Sequence, residues 1–276
     1  MGKHIIRISA WAAVVLLALL SGCGKNSDEI PVPSDDGEDD SFVIGSCGFT
    51  VDLPHYLLRF FVPEKYSVRR VIDETRLIVV EFSDYGTEEV MYDYRHAQKP
   101  EEYAEKAGVY ESLCSRYKDT AYPKVHHLLP YWCGRNYPVN NIVSIAVVSD
   151  ADYDSDHPAG SSLADICEVL TASPRDFIAS GYTDTCDWTA DLETLSPVFG
   201  EEIPGWGVKE VKPVYKRLDK CWAEDLVLAG YYPSFFTLRI LQAPAADFNG
   251  RFTITLLDEK GKVFTLETEP VSWRPA

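Results

Sequence analysis

Apolar residues alternate with polar ones along several short stretches of this 276-residue chain, and this alternation limits the fold more than any other feature. It is clearest near the end of the chain, where 251–257 and 262–268 alternate on either side of a turn at 258–261. Further strands are predicted at 48–52, 56–62, 76–82, 88–94, 142–148 and 235–241. Because a period of two places apolar side chains on one face of a sheet, we predict a β-rich α+β protein, mainly a β-sandwich.

One longer helix and some short helices interrupt the predicted strands. Between 100 and 117 a single helical face carries Tyr103, Ala107, Tyr110, Cys114 and Tyr117, which is typical of a helix packed on a sheet. Short helices are predicted near 162–180, because Ser162 and Ser173 are each followed three residues later by an aspartate. Most of 181–225 is predicted to be loop with scattered short strands.

The predicted strands continue on both sides of residue 140. A chain that is 46% hydrophobic and 25% charged can bury a core, so disorder over its whole length is excluded. We predict a single globular domain over 41–276, and a split into two domains near 140 is the alternative.

The first 22 residues have the pattern of a secretion signal. Lys3 and Arg7 form a basic start, and the apolar run 10–20 is shorter than the roughly 20 residues that span a bilayer. The sequence Leu20-Ser21-Gly22-Cys23 follows. It resembles the lipobox of bacterial lipoproteins, which implies a signal peptide over 1–22 and a lipid attached to Cys23. An ordinary signal peptide with an incidental cysteine is the alternative.

Residues 23–40 are predicted to form a flexible acidic tether. The segment holds seven acidic residues, one lysine and two prolines, so it cannot bury apolar surface. With the lipobox and the β-rich body, this acidic run resembles the uncharacterised surface lipoproteins of Bacteroidota, a group without a known activity. The resemblance implies a lipid-anchored protein of the outer membrane that is exposed on the cell surface. A position facing the periplasm is the alternative.

The charge balance limits the partners of this protein. The chain carries 26 basic and 43 acidic side chains, a net charge of −17, and the part after residue 40 retains −13. Such a body repels phosphate backbones and anionic membrane surfaces. Nucleic acid is therefore excluded as a partner, and contact with the membrane is assigned to the lipid anchor alone.

Six cysteines remain beyond Cys23, at positions 47, 114, 133, 167, 186 and 221. Exported proteins meet oxidising conditions, so at least one disulfide is predicted, although the sequence leaves all 15 full pairings open. Buried free thiols are the alternative. We favour a bond between Cys114 and Cys133, because it would join the end of the long helix to the loop that follows.

An acidic run follows the strand predicted at 142–148. Asp150, Asp152, Asp154 and Asp156 occupy alternate positions, and clusters of carboxylate oxygens are what calcium binds. The spacing departs from an EF-hand, because Ser155 stands where that loop needs glycine. We predict a weak calcium site that rigidifies the loop, and no other cofactor. A solvated acidic loop is the alternative.

The sequence favours binding over catalysis. It contains none of the motifs G-x-S-x-G, P-loop, G-x-G-x-x-G and H-E-x-x-H. Trp132, Trp188 and Trp206 lie in predicted loops, where aromatic rings with acidic neighbours are typical of glycan-binding surfaces; rings that fill the core are the alternative. We predict a non-catalytic module that binds a glycan or a protein. The alternatives are a glycan hydrolase with paired carboxylates and a structural or assembly protein of the envelope.

We expect Cys23→Ala to abolish lipid attachment in the native host. Acyl chains contribute about 0.8 kcal/mol per buried CH₂, so the wild-type protein should enter the detergent phase and the variant the aqueous phase. Detergent phase partitioning measures this difference, and Cys47→Ala, which leaves the lipobox intact, should behave as wild type. Recovery of the Cys23→Ala protein from the detergent phase would show the prediction to be wrong.

Overall fold

The computed structural model describes residues 50–52, 55–83, 91–122, 125–127, 136–205, 207–230 and 235–275. The strands are β1 (Thr50–Asp52), β2 (Arg59–Phe61), β3 (Lys65–Ile72), β4 (Leu77–Ser83), β5 (Met91–Asp93), β6 (Val125–His127), β7 (Asn136–Pro138), β8 (Ile142–Ser149), β9 (Cys167–Ser173), β10 (Lys212–Arg217), β11 (Phe236–Ile240), β12 (Phe248–Gly250), β13 (Phe252–Asp258), β14 (Val263–Glu267) and β15 (Val271–Trp273). The α-helices are α1 (Tyr94–Gln98), α2 (Pro100–Arg116), α3 (Arg175–Ala179) and α4 (Thr189–Phe199). Short 3₁₀ helices lie at Gly200–Glu202, Leu218–Lys220 and Ala223–Leu226.

A five-stranded antiparallel sheet in the order β10-β9-β11-β4-β3 forms the centre of the structure. A three-stranded antiparallel sheet, β14-β13-β8, covers one of its faces. Side chains from both sheets, among them Val169, Leu238, Ile254 and Leu266, share one buried apolar cluster. Two sheets joined through such a core form a sandwich.

Helix α4 covers the opposite face of the five-stranded sheet. Leu195 and Phe199 of α4 pack in one cluster with Leu170 and Ala172, two side chains of β9. The side chains of β9 that alternate with these, such as Val169, face the sandwich core. Strand β9 is therefore buried on both faces, and the central sheet lies between a second sheet and a helix.

Helices α1 and α2 pack beside a small mixed sheet, in which β2 pairs antiparallel with β5 and parallel with β7. Their shared core contains Phe60 of β2, Tyr137 of β7, and Tyr110 and Leu113 of α2. Pairs β1–β6 and β12–β15 complete the sheets.

All the described residues belong to one compact unit, Ser46–Ala276. None of the helices in these described ranges is long and apolar enough to cross a membrane.

The structure confirms the β-rich α+β class, with several antiparallel sheets and few helices. The long helix predicted over 100–117 is present as α2, and the helix predicted after Ser173 is present as α3. The alternating segments at the end of the chain form the hairpin of β13 and β14. In its turn, Asp258 accepts hydrogen bonds from the backbone N–H groups of Lys260 and Lys262.

Two local predictions were wrong. The helix expected after Ser162 is a turn that leads into β9, and Asp165 bonds the ring of His157 instead of completing a helix cap. The segment 181–225, expected to be mostly loop, contains helix α4. The N-cap residue of this helix, Trp188, makes no side-chain cap and the helix contains Pro197, two features unfavourable for a helix, although Gly200 with φ 52° ends it.

Asp119, just after helix α2, fastens the chain before β2 to the rest of the structure. Its fully buried carboxylate accepts hydrogen bonds from the backbone N–H groups of Tyr56 and Leu57, at 2.8 and 2.7 Å. The hydroxyl of Tyr182 donates a third, at 2.7 Å. One side chain thus joins three distant segments, and it satisfies backbone donors that burial would otherwise leave unpaired.

We expect Asp119→Asn to destabilise the fold by about 2–3 kcal/mol, because the amide NH₂ group replaces one acceptor oxygen and faces a buried donor. Urea unfolding followed by circular dichroism measures the change. Asp184→Asn, at an exposed position, is the matched control and should lie within about 0.5 kcal/mol of wild type. Equal stability of the two variants would contradict this role for Asp119.

Candidate functional site

The structure separates the tryptophans by burial. Trp188 is only 4% exposed, and its indole N–H donates to the backbone carbonyls of Val208 and Val211 at 2.9 and 3.1 Å. It is a core residue under α4, so its ring offers no stacking face in this structure. Trp132 and Trp206 lie outside the described residues, and a ligand role for these two stays a prediction.

Trp222 is the exposed tryptophan of the described residues, with 64% of its surface accessible. Its backbone is held firmly, since the N–H of Trp222 donates to a carboxylate oxygen of Asp225 at 2.9 Å and its carbonyl accepts from the N–H of Asp225. The 3₁₀ helix that follows is tied to α3, because the guanidinium of Arg175 donates to the carbonyl of Glu224. A large apolar ring is therefore presented to solvent from a fixed backbone.

A cavity of about 240 Å³ is linked to Trp222 through Asp225, which lines the cavity and accepts from the Trp222 backbone; Trp222 itself is not among the described lining residues. We call this cavity the Trp222 cleft. It runs along β10, an end strand of the five-stranded sheet, and is closed by the start of α3 and by Asp225. Asp225 joins Trp222 to the cleft, because one carboxylate oxygen accepts from the backbone N–H of Trp222 and the other accepts from the amine of Lys216. The charged and aromatic groups that line the cleft are Arg175, Asp176, Lys212, Tyr215, Lys216 and Asp225.

Ion pairs order the charged groups of the Trp222 cleft. Asp176 lies between Arg175, at 3.0 Å, and Lys212, at 3.5 Å, and Asp225 accepts from Lys216 at 2.6 Å. Burial acts to raise the pKa of both carboxyls, but the bonds from these cations outweigh it and hold both pKa values below the ordinary range. Both aspartates are therefore ionised acceptors at neutral pH.

Three carboxylates of the acidic loop 150–156 accept hydrogen bonds from backbone N–H groups. Asp150 accepts from the N–H of Arg251 at 2.6 Å, Asp152 from that of Ala159 at 2.8 Å, and Asp154 from those of Asp156 and His157. No three of these four carboxylates lie close enough together to share an ion. Calcium binding by Asp150, Asp152, Asp154 and Asp156 stays a prediction.

His157 is the centre of this loop. One ring nitrogen lies 2.8 Å from Asp154 and the other 3.0 Å from Asp165, and the side chain is buried. Burial acts to lower the pKa of His157, but the hydrogen bonds to Asp165 and Asp154 outweigh it and raise the pKa. The ring, held between two carboxylates, thus links the acidic loop to the turn before β9.

The described residues bring three potential metal ligands within 4.8 Å of one another: His55, Cys114 and Asp119. The carboxylate of Asp119 already accepts three hydrogen bonds, and the ring nitrogens of His55 lie 2.5 Å from the Asp119 carbonyl and 2.9 Å from Glu111. Burial, with the charge of Asp119, raises the pKa of Cys114 far above its usual value. The group is therefore better suited to holding the fold than to binding a metal or attacking a substrate.

The described cysteines Cys114, Cys167, Cys186 and Cys221 are free thiols. Cys47 and Cys133 lie outside the described residues. The bond between Cys114 and Cys133 therefore stays a prediction. Burial raises the pKa of Cys221 to about 11, so this thiol is unreactive at neutral pH.

No sequence pattern indicated the Trp222 cleft. Its described lining residues lie within 173–176, within 212–216 and at Asp225, which are separated along the chain and fall partly in a segment interpreted as loop. The one linear signal was a tryptophan followed by acidic residues at 224 and 225.

No family model, curated protein or solved structure matches this chain. Functional inference therefore depends on the geometry of the chain itself.

We expect His157→Gln to lower the melting temperature more at pH 6 than at pH 9. Because the folded pKa is raised above the unfolded value of about 6.5, the stabilisation is complete below that pH and disappears as the pH rises through the folded pKa. Thermal unfolding across this range measures the effect, with the exposed Asp156→Asn as control. A decrease that does not change with pH would refute the charged link.

Proposed function

We propose that this protein is a non-catalytic binding module, anchored by lipid at Cys23 in the outer membrane, and that its ligand is a glycan held at the Trp222 cleft. The observation that carries the proposal is the exposed ring of Trp222, whose backbone is bound to Asp225, a carboxylate that also lines the cavity. Sugar rings stack their C–H faces on indole rings. Their hydroxyls donate to carboxylates and accept from amines and guanidinium groups.

The hydrogen-bonding groups of the cleft support this ligand class. Asp176 and Asp225 are ionised acceptors, whereas Arg175, Lys212 and Lys216 are donors. Asp225, whose side chain is largely buried, is held by Lys216 and by the backbone N–H of Trp222 before a ligand arrives, so this acceptor loses less conformational entropy on binding. Exposed aromatic groups beside a few oriented polar groups are characteristic of small-ligand sites.

The same charges argue against hydrolysis at this cleft. A glycosidase needs one carboxylic acid that remains protonated near neutral pH, and enzymes obtain it by raising a pKa. In the cleft, cations hold the pKa values of both Asp176 and Asp225 below the ordinary range. Neither can serve as the acid, and binding without catalysis fits the cleft better.

Surface exposure in the outer membrane is proposed from the lipobox and from the acidic tether over 23–40. A flexible tether would let the folded body reach ligands away from the membrane plane. Its negative charge would also keep the body apart from anionic headgroups.

We expect Trp222→Ala to weaken glycan binding at least tenfold, which corresponds to about 1.4 kcal/mol. The melting temperature should change little, because most of this ring is exposed. Screening the full-length protein in detergent against a panel of neutral and acidic polysaccharides, followed by calorimetry on the best ligand, measures the affinity.

Val263→Ala is the matched control, since it removes another exposed apolar side chain, on β14. It should bind as wild type. Unchanged affinity in Trp222→Ala would exclude this cleft as the site. Release of reducing ends from any polysaccharide on the panel would show that the protein is a hydrolase and not a non-catalytic binding module.

A further inference from the structure

A second cavity, of about 420 Å³, lies between the end of β5 and helices α1 and α2. We call it the Lys99 groove. Arg95, His96, Lys99 and Lys106 line it, and Asp93 is the acidic residue among its described lining residues. Its volume lies within the range of about 300–1,000 Å³ found for small-molecule sites. Four basic side chains around one cavity stand out in a body whose net charge is −13.

The acidic residue of the Lys99 groove is committed to the protein itself. Asp93 is 1% exposed, and its carboxylate caps α1 through the N–H of Arg95 at 2.9 Å. The guanidinium of Arg95 donates two further bonds to it, at 3.0 and 2.6 Å. The guanidinium of Arg59 lies 3.6 Å from the same carboxylate, so this acidic group of the groove is engaged by cations of the protein itself.

The hydrogen bonding of His96 makes its ring a donor. Its Nδ1 atom accepts from the backbone N–H of Asp93 at 3.2 Å, so the proton of a neutral ring is on Nε2. Lys99 contacts a carboxylate outside the groove, Glu102, at 3.7 Å, but both side chains are exposed and such pairs are weak. A ligand oxyanion can compete with this pair.

An aromatic surface adjoins the basic groups. Helix α2 departs from helical geometry at Tyr103, with φ −132° and ψ 40°, and the ring of Tyr103 is 42% exposed. Its centroid lies 5.0 Å from that of His96. A flat ring beside ammonium groups can contact the face of a sugar while the amines hold a charged substituent.

We propose that the Lys99 groove binds a sugar that carries an oxyanion, namely a carboxylate, sulfate or phosphate group. Lys99, Lys106 and His96 hold the oxyanion, and the ring of Tyr103 supports the sugar. Long-range repulsion from the acidic body disfavours free anions, so the groove selects ligands that also make the aromatic contact. This site is separate from the Trp222 cleft and does not depend on the function proposed there.

Calorimetry of the full-length protein with four probes tests the proposal: glucuronic acid, glucose 6-sulfate, glucose 6-phosphate and glucose. At least one charged probe should bind ten or more times more tightly than glucose, and added salt should weaken it. Inorganic sulfate and phosphate should bind more weakly than their sugar esters. Charged probes that bind no better than glucose would overturn the proposal, as would inorganic ions that bind as well as the sugars.

Variants locate the site. Lys99→Gln combined with Lys106→Gln should weaken the charged probe at least tenfold, and Tyr103→Ala should weaken the sugar esters more than the inorganic ions. Lys209→Gln combined with Lys220→Gln, at exposed positions outside both cavities, is the charge-matched control. Trp222→Ala should leave this binding unchanged. Equal losses in the two lysine pairs would show a general charge effect and contradict the groove.

Discussion

Burial of the central sheet on both faces is the constraint on which the remaining structure depends. Val169 and Leu170, neighbours on β9, face opposite apolar clusters, so the sheet needs one cover on each side. The sheet β14-β13-β8 supplies one cover and helix α4 the other. A hydrogen bond also joins the helical cover to the sheet, because the hydroxyl of Thr237 on β11 donates to the backbone carbonyl of Glu202, just after α4.

This burial also explains which elements could be predicted from the sequence. Strand β13 has one buried and one exposed face, so its residues alternate, and its hairpin with β14 was predicted closely. Strand β9 has no exposed face and no alternation, and with Ser162 and Asp165 before it the region was interpreted as helical. Helix α4 was missed because Trp188 occupies its N-cap position and Pro197 lies inside it, both of which are unusual in a helix.

The candidate sites were harder to predict, because their geometry depends on the folded backbone. The Trp222 cleft combines separate segments, whereas the described lining of the Lys99 groove lies within 91–106. The acidic loop was visible in the sequence, yet its hydrogen bonds to its own amides depend on a backbone path that spacing does not reveal. The tryptophans were visible in the sequence too, but their roles depend on burial. Trp188 lies in the core and Trp222 at the surface. A net charge is an average, and it concealed two cavities whose described lining residues include more basic than acidic side chains.

The end strands of the central sheet have a further consequence. Strand β10 carries Lys212 and Lys216 and contains Pro213, which lacks the N–H that an added strand would need. At the other end, β3 has an irregular register between Val68 and Arg70. Charge, proline and bulges all discourage pairing between exposed sheet edges. Copies crowded together would therefore resist stacking into continuous sheets, and the side chains that shape the Trp222 cleft would also keep each molecule separate.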